Sequence, residues 1–230
     1  MAVAVSAPAT RPRRKPSAPG PRLLTYDRRL EARFVGGADE AGRGALAGPL
    51  VAAAVLLEPH ALTAAERRAL RTLDDSKCCT ERVRDELYPT ILALARSVAV
   101  VAVVCTEVDR LNIHQAILSG LARALDGLAA PPEAVLLSDG FRLPGLTRPH
   151  RRVISGDRTS AAVAAASIVA KVTRDRVMRA AHLDYPDYGF DGHVGYATPE
   201  HRAALRRLGP SPIHRRSFAP CSQTVLPLDV

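Results

Sequence analysis

No long apolar run is present in this sequence of 230 residues. A helix that spans a membrane needs about 20 consecutive, mostly apolar residues, and no segment approaches that length. We therefore expect no membrane partner. Since 47% of the residues are hydrophobic, the chain can bury an ordinary globular core, and its length predicts one domain with tails.

Cysteine is scarce, and its spacing does not fit the common metal sites. The sequence contains four cysteines and no CxxC pair: Cys78, Cys79, Cys105 and Cys221. The adjacent Cys78 and Cys79 make a poor framework for disulfides, and Cys105 ends an apolar run in which a buried thiol is expected. These features are typical of a reducing compartment, so we expect a cytoplasmic protein.

The first 22 residues contain no acidic residue and no apolar core of a secretory signal. They carry five basic residues: Arg11, Arg13, Arg14, Lys15 and Arg22. Several prolines argue against packed structure, so we expect residues 1–24 to form a disordered basic extension, with an organelle transit peptide as the alternative. These five charges leave +4 of the net charge of +9 for the rest, which is therefore mildly basic and favours a polyanionic partner.

Two apolar runs, at residues 32–38 and 50–57, predict a β-hairpin. Between them stand an acid pair and a glycine-flanked arginine: Asp39, Glu40, Gly42, Arg43 and Gly44. Because adjacent residues of a strand point to opposite faces, we expect a turn or bulge at the acid pair. A loop of this composition can hold a metal ion beside a phosphate, although an isolated acid pair is also typical of a solvated turn.

Helical and extended patterns alternate along the rest of the chain. Apolar spacing and capping residues predict helices over residues 62–73, 81–96, 106–128, 160 onward and 199–208. Apolar runs predict further strands at 97–106 and 134–138 and a short one at 153–154, and the β-branched composition of 97–106 predicts a strand buried on both faces. Residues 140–152 are expected to form a loop. The pattern as a whole predicts an α/β fold with a mixed central sheet flanked by helices.

Acidic residues stand where the predicted strands end. They are Asp39, Glu40, Asp139 and Asp157. Strand ends of an α/β sheet converge in space, and carboxylates brought together there would repel one another without a cation. Mg²⁺ or Mn²⁺ would remove that repulsion, and two such ions about 4 Å apart would stabilise both the attacking water and the leaving oxygen in phosphodiester cleavage.

Six blocks of the sequence resemble bacterial type 2 ribonuclease H (ribonuclease HII), in that family's order and spacing. They are DEAGRG, DSK, LNIHQA, SDG, GDRTSAAVAAASIVAKVTRDRVM and YPDYGFDGHVGYATPEHRAALRRLGPSPIHRRSF. The resemblance implies a ribonuclease H-like fold with a C-terminal helical segment, and we expect a catalytic domain at 25–218 with a tail at 219–230. It also implies metal-dependent cleavage of RNA paired with DNA, including cleavage 5′ of single ribonucleotides embedded in duplex DNA during replication and repair.

The resemblance also implies roles for individual residues. Asp39, Glu40, Asp139 and Asp157 match the family's catalytic and metal-binding carboxylates. Its motif for the junction between ribonucleotide and deoxyribonucleotide is matched by Gly42, Arg43 and Gly44, and the tyrosine that stacks on the sugar beside the cut is matched by Tyr196. Glycines allow backbone amides to approach the sugar and its 2′-hydroxyl, and an arginine offers a fork to a phosphate.

Several other polar residues have two interpretations each. Lys77 is either a phosphate contact or an ordinary loop lysine, and Ser160 is either a substrate contact or a helix N-cap. We expect His201 and His214 to line a basic surface that faces the duplex and not to bind zinc, because paired short spacing is lacking. The basic residues of the helix from 160 onward are expected on its solvated face: Lys171, Arg174 and Arg176.

Two rival functions remain open from the sequence. A type 1-like ribonuclease H or a Holliday-junction resolvase would use similar acids on a different substrate. A basic protein without catalysis would bind duplexes with a steep salt dependence. We expect a monomer whose partners are RNA–DNA hybrids and DNA duplexes that contain ribonucleotides.

Overall fold

A five-stranded mixed sheet with the strand order β3-β2-β1-β4-β5 organises the fold. The computed structural model describes residues 18–222. The strands are β1 Val35–Ala41, β2 Leu50–Leu57, β3 Ser97–Val103, β4 Val135–Asp139 and β5 His150–Val153. The first strand pairs antiparallel with β2 and parallel with β4, while β3 and β5 are the edge strands. The predicted α/β class with a mixed sheet is therefore confirmed.

Helices cover both faces of this sheet. They are α1 Pro19–Arg28, α2 Ala64–Ala69, α3 Glu81–Leu94, α4 Cys105–Leu111, α5 Ile113–Asp126, α6 Ala161–Asp184, α7 Phe190–His193, α8 Pro199–Leu208 and α9 Ala219–Ser222. None of the helices within 18–222 combines the length and the apolar character that crossing a bilayer requires. The helix predicted over 106–128 is split by Asn112, whose positive φ of 66° ends α4 and whose side chain caps α5.

Helix α6 packs on one face of the central strands through small side chains. Fourteen of its residues are buried, and most of them are alanine or valine. Gly37 of β1 makes the closest approach, since a Cβ atom placed there would lie 2.3 Å from the amide nitrogen of Val163. The opposite face packs against α5 through Ile117 and Leu121. The sheet is thus buried between two layers of helix.

The acid pair lies in a regular strand and not in a turn. Asp39 pairs with Ala53 and Glu40 with Ala52, and the register continues without a bulge to the end of β1. The expected turn is therefore wrong. The two carboxylates leave opposite faces of the sheet, and they meet at one site because both lie at the end of the strand.

The burial predicted for residues 97–106 is also wrong. Strand β3 lies at the edge of the sheet, and Val100 is 43% exposed. An apolar, β-branched run favours a strand, but it does not fix the position of that strand within the sheet. Residues 150–152, expected to belong to a loop, form β5 together with Val153, the edge strand beside β4.

The folded domain extends beyond both predicted boundaries. Helix α1 begins inside the segment expected to be disordered, and Leu23 and Leu24 are buried in the core, so that expectation is wrong for residues 19–24. At the other end, α9 lies within the expected tail and buries Cys221. The remaining parts of both terminal predictions, at 1–17 and 223–230, lie outside the described residues.

We expect Gly37→Ala to lower the free energy of unfolding by about 1–3 kcal/mol, because the added methyl group would press on the backbone of α6. A matched control is Gly145→Ala, since a Cβ atom there meets nothing within 4 Å. The control should change stability by less than about 1 kcal/mol. Urea denaturation of both variants measures the difference, and equal stabilities would contradict the close packing of α6 on β1.

Candidate active site

The four predicted carboxylates meet at one end of the sheet. Asp39 and Glu40 lie in the last three residues of β1, and Asp139 ends the neighbouring parallel strand β4. Asp157 lies in a short 3₁₀ helix, Gly156–Arg158, that precedes α6. The amide of Gly156 donates a 2.6 Å hydrogen bond to Oδ1 of Asp139 and so joins this turn to the strand end.

Burial and mutual repulsion shift the acid–base behaviour of this group. Burial raises the pKa of Asp39 well above its usual range, and the charges of Glu40 and Asp139 raise it further. For Glu40, burial and the charge of Asp139 raise the pKa to about 7. For Asp157, burial and neighbouring acids raise it to about 6. Without a cation, the cluster therefore holds protons close to neutral pH.

Asp75 is a member of this cluster that the sequence interpretation missed. It is 8% exposed, and its side chain is among the causes that raise the pKa of Asp157. The signal for Asp75 in the sequence is its position in the block DSK, two residues before Lys77.

Lys77 contributes positive charge to the cluster from an exposed position. Its ammonium lowers the pKa values of Glu40, Asp139 and Asp157, although burial outweighs it at each of them. Its amide donates a 2.9 Å hydrogen bond to Oδ1 of Asp75, which shapes the loop. The side chain thus faces the carboxylates and remains open to solvent, as a phosphate contact requires.

The donor set fits a divalent cation that prefers oxygen ligands. Oε2 of Glu40 is buried and has no hydrogen-bond partner within residues 18–222. An unpaired buried carboxylate oxygen is costly unless a cation occupies the space beside it. In the same described part of the chain, no three acidic, histidine or cysteine side chains are already grouped to hold an ion. Binding would therefore require rotation of side chains, and Mg²⁺ or Mn²⁺ suits the chemistry.

The segment Gly42-Arg43-Gly44 borders the carboxylates. Gly42 is buried with φ of +92°, and a Cβ atom there would lie 2.1 Å from Nε of Arg174. Arg43 is exposed, its charge lowers the pKa of Glu40, and its guanidinium lies 5.8 Å from the ring centre of Phe141. Gly44 faces open space. The first glycine therefore serves packing, whereas Arg43 and Gly44 are accessible to a ligand.

Tyr196 lies beside this segment. It forms an isolated antiparallel bridge with Ala45, and the amide of Leu46 donates a 2.9 Å hydrogen bond to the carbonyl of Gly195. Its ring is half-buried, with Nζ of Lys171 at 5.1 Å from the ring centre. The structure thus brings the predicted sugar-stacking residue next to the predicted junction motif.

Two side chains that were expected at the surface are buried. Arg174 is fully buried and donates to the carbonyl oxygens of residues 47, 49 and 194, so its assignment to a solvated face is wrong. Arg176 is half-exposed, as expected, but the side chain of Lys171 is only 17% exposed and pairs with Asp175 at 2.7 Å, so the solvated face is wrong for Lys171 as well. Ser160 is also fully buried, and its hydroxyl caps α6 by accepting a 3.3 Å hydrogen bond from the amide of Val163. The N-cap interpretation of Ser160 therefore replaces the substrate contact.

The expectation that His201 and His214 line a surface is wrong as well. They are 0% and 1% exposed and face each other inside the C-terminal helical segment, where Phe190 packs on both. Their neighbours in sequence, Arg202 and Arg216, are exposed and carry the charge of that surface. Nothing in the sequence near these two histidines indicates that their rings are buried.

Comparisons with known proteins agree on one family. The sequence model of the family described as Ribonuclease HII matches residues 36–221. The Ribonuclease HII of Rhodococcus erythropolis is 53% identical over 185 residues, which are 80% of this chain and 79% of that protein. The Ribonuclease HII of Mycobacterium avium is 52% identical over 184 residues, which are 80% of this chain and 77% of that protein.

Solved structures share the fold. The ribonuclease H2 of Pyrococcus horikoshii OT3 aligns with a TM-score of 0.69 at 25% identity, over 82% of this chain and 95% of that one. Bst-RNase HIII, whose structure was solved in complex with Mn²⁺, aligns with a TM-score of 0.62 at 20% identity, over 90% of this chain and 72% of that one. The predicted ribonuclease H-like fold is therefore confirmed.

The raised pKa values predict a stability that falls with rising pH in EDTA. The carboxyl group of Glu40 has a pKa of about 7 in the folded protein and about 4.5 in the unfolded chain. Between these pH values the unfolded chain has already released the proton that the folded protein still binds, so the free energy of unfolding falls as the pH rises. We expect Glu40→Gln to raise the free energy of unfolding at pH 8 by about 1–3 kcal/mol, since one pKa unit corresponds to about 1.4 kcal/mol.

Urea denaturation at pH 5 and pH 8 measures this effect. The exposed Glu133 offers a matched control, and Glu133→Gln should keep the pH dependence of the unaltered protein. Millimolar Mg²⁺ should restore stability at pH 8 in the unaltered protein. If Glu40→Gln shows the same pH dependence as its control, the repulsion within the cluster is refuted.

Proposed function

Because this chain belongs to the ribonuclease HII family, we propose that its endoribonuclease activity on the RNA of RNA–DNA hybrids extends to single ribonucleotides embedded in duplex DNA. The cut would fall on the 5′ side of the ribonucleotide and leave a 3′-hydroxyl and a 5′-phosphate. One observation carries the proposal: the carboxylate cluster lies beside the exposed Arg43 and Gly44 and the half-buried Tyr196. Its cellular role would be the removal of ribonucleotides from DNA, in the cytoplasm.

The metal would be held by the carboxylate cluster. The residues are Asp39, Glu40, Asp139 and Asp157, with Asp75 beside them. Mg²⁺ or Mn²⁺ bound there, as a pair of ions, would supply an activated water and stabilise the charge of the leaving oxygen. The structure of Bst-RNase HIII in complex with Mn²⁺ supports an ion of this class. Before metal binds, the cluster must release the protons that its raised pKa values retain.

Recognition of the junction would depend on groups outside the cluster. Gly44 has no neighbour in the way of a sugar, so the backbone there can approach a 2′-hydroxyl closely, which is the group that distinguishes RNA from DNA. Arg43 would bind the adjacent phosphate, and Lys77 would neutralise a second phosphate near the cut. The ring of Tyr196 would pack against the deoxyribose that follows the ribonucleotide. This division separates substrate choice from the chemistry of cleavage.

The first test is cleavage of an end-labelled DNA duplex with one ribonucleotide, in Mg²⁺, Mn²⁺ or EDTA. We expect one metal-dependent cut 5′ of the ribonucleotide, no cut in an all-DNA duplex, and cleavage of a continuous hybrid. Asp157→Asn should abolish cleavage while the melting temperature in EDTA is kept or raised, because a raised pKa marks an acid that destabilises the fold when ionised.

Each alternative result has a distinct meaning. Cleavage of the continuous hybrid alone would assign type 1 behaviour, and unimpaired turnover by Asp157→Asn would remove this residue from the metal site. Duplex binding without any cleavage would favour the protein without catalysis.

Arg43→Ala should weaken cleavage of the single-ribonucleotide duplex by roughly 1–3 kcal/mol in kcat/KM, the scale of a lost charge-assisted hydrogen bond. The effect on an RNA–DNA hybrid should be smaller, since the hybrid offers many ribonucleotides in place of one junction. Arg68, an exposed arginine of α2, gives the matched control Arg68→Ala. Losses of equal size on both substrates would contradict a role of Arg43 at the junction.

A further inference from the structure

A chain of hydrogen bonds runs through the C-terminal helical segment and ends on the backbone of Tyr196. The amide of Ser211 lies 2.9 Å from Nδ1 of His214, whose Nε2 lies 3.0 Å from Nε2 of His201. Nδ1 of His201 lies 2.9 Å from the carbonyl oxygen of Tyr196. We name this set of four residues the histidine relay. Both imidazole rings in it are buried.

The donors and acceptors of the relay have only one consistent arrangement. The carbonyl of Tyr196 can only accept, so a neutral His201 carries its proton on Nδ1 and its Nε2 must accept from Nε2 of His214. Nδ1 of His214 then accepts, both from the amide of Ser211 and from its hydroxyl at 2.7 Å. The two histidines therefore hold opposite tautomers, each determined by its neighbour.

The backbone that receives this last hydrogen bond is strained. Val194, two residues before Tyr196, has φ of 44° and ψ of 38°, a left-handed conformation that a β-branched residue rarely adopts. Such strain persists only where surrounding contacts over-determine it. Arg174 donates to the carbonyl of Val194 at 2.9 Å, and the relay binds the carbonyl of Tyr196. The turn is thus fixed from both sides of Gly195.

We propose that His201 and His214 are positioning residues that fix the ring of Tyr196 against the nucleotide beside the cut. This inference rests on the proposed function, because it assigns the relay to the residue proposed to recognise the deoxyribose. Neither histidine touches the substrate. Their effect passes through the backbone of Tyr196, and a displacement of that backbone moves the ring.

The surroundings keep both rings neutral, as the relay requires. Burial lowers the pKa of His201 and lowers that of His214 to about 4. His193 stacks on His201 at 4.4 Å between ring centres, and the positive charges of Arg202 and Arg216 lower the two pKa values further. A second proton on His201 would place two N–H groups face to face between the Nε2 atoms, and a second proton on His214 would turn an N–H of Nδ1 against the amide of Ser211. The relay is therefore intact at neutral pH.

Two substitutions of His214 separate the relay from packing. The amide oxygen of His214→Asn can replace Nδ1 and keep the bond from Ser211, but it loses the donor to His201. The amide nitrogen of His214→Gln can replace Nε2 and keep that donor. We expect His214→Asn to lower the ratio of kcat/KM for the single-ribonucleotide duplex to kcat/KM for the continuous hybrid by up to about tenfold. His214→Gln should keep this ratio within about twofold of the unaltered protein. An equal fall of the ratio in both variants would refute the relay.

A double-mutant cycle with Tyr196→Ala tests whether the effect passes through Tyr196. We expect Tyr196→Ala to lower the same ratio and His214→Asn to lower it no further in that background. A ratio that falls with Tyr196→Ala but not with His214→Asn would overturn the relay and leave the proposed function intact. If Tyr196→Ala leaves the ratio unchanged, the proposed role of Tyr196 fails, and the positioning role fails with it.

The tautomers are measurable in the unaltered protein, independently of activity and of how well a variant folds. Nitrogen-15 NMR of the histidine side chains at pH 7 should show His214 protonated on Nε2 and His201 protonated on Nδ1. The same tautomer in both residues, or a doubly protonated ring in either, would overturn the relay.

Discussion

The close contact between α6 and strand β1 is the constraint on which the other features of this structure depend. Small residues along α6, and a glycine opposite them in β1, allow the two backbones to touch. The same helix contributes to the site at three positions along its length. Asp157 lies just before its first turn, the side chain of Ser167 lowers the pKa of Asp39, and the side chain of Arg174 packs against Gly42. One rigid element thus sets the spacing between the carboxylates and the junction motif.

The carboxylate cluster is the opposite of a stabilising feature. Burial and like charge both raise the pKa values of its members, and a buried oxygen of Glu40 is left without a partner within the described residues. A protein that folds in spite of this must gain its stability elsewhere, here from the apolar layers on either side of the sheet. Such an unfavourable arrangement is typical of a site that is completed only when it binds a cation. The acids lie at a strand end, which is open to substrate.

Features that depend on residues close together in the sequence, such as helix caps, were predicted from local patterns. The N-caps of α2, α6 and α8 are Thr63, Ser160 and Thr198, and each precedes a helical pattern that is visible in the sequence. Burial depends on distant contacts and was predicted less well. Nothing near Arg174 indicates that carbonyl groups more than a hundred residues earlier will surround it. The apolar run of β3 could equally have filled a central position in the sheet.

The polar core of the C-terminal segment shows how the recognition surface keeps its shape. Arg174 and Arg215 are both fully buried, and the acceptors of their hydrogen bonds within residues 18–222 are carbonyl oxygens. These carbonyls belong to residues 43, 47, 48, 49 and 194. A buried guanidinium is tolerated only when its donors are satisfied, so each arginine restrains the loops whose carbonyls it needs. The junction motif and the turn before Tyr196 are therefore fixed to one another before any substrate binds, and a preorganised surface of this kind does not have to be ordered at the cost of binding energy.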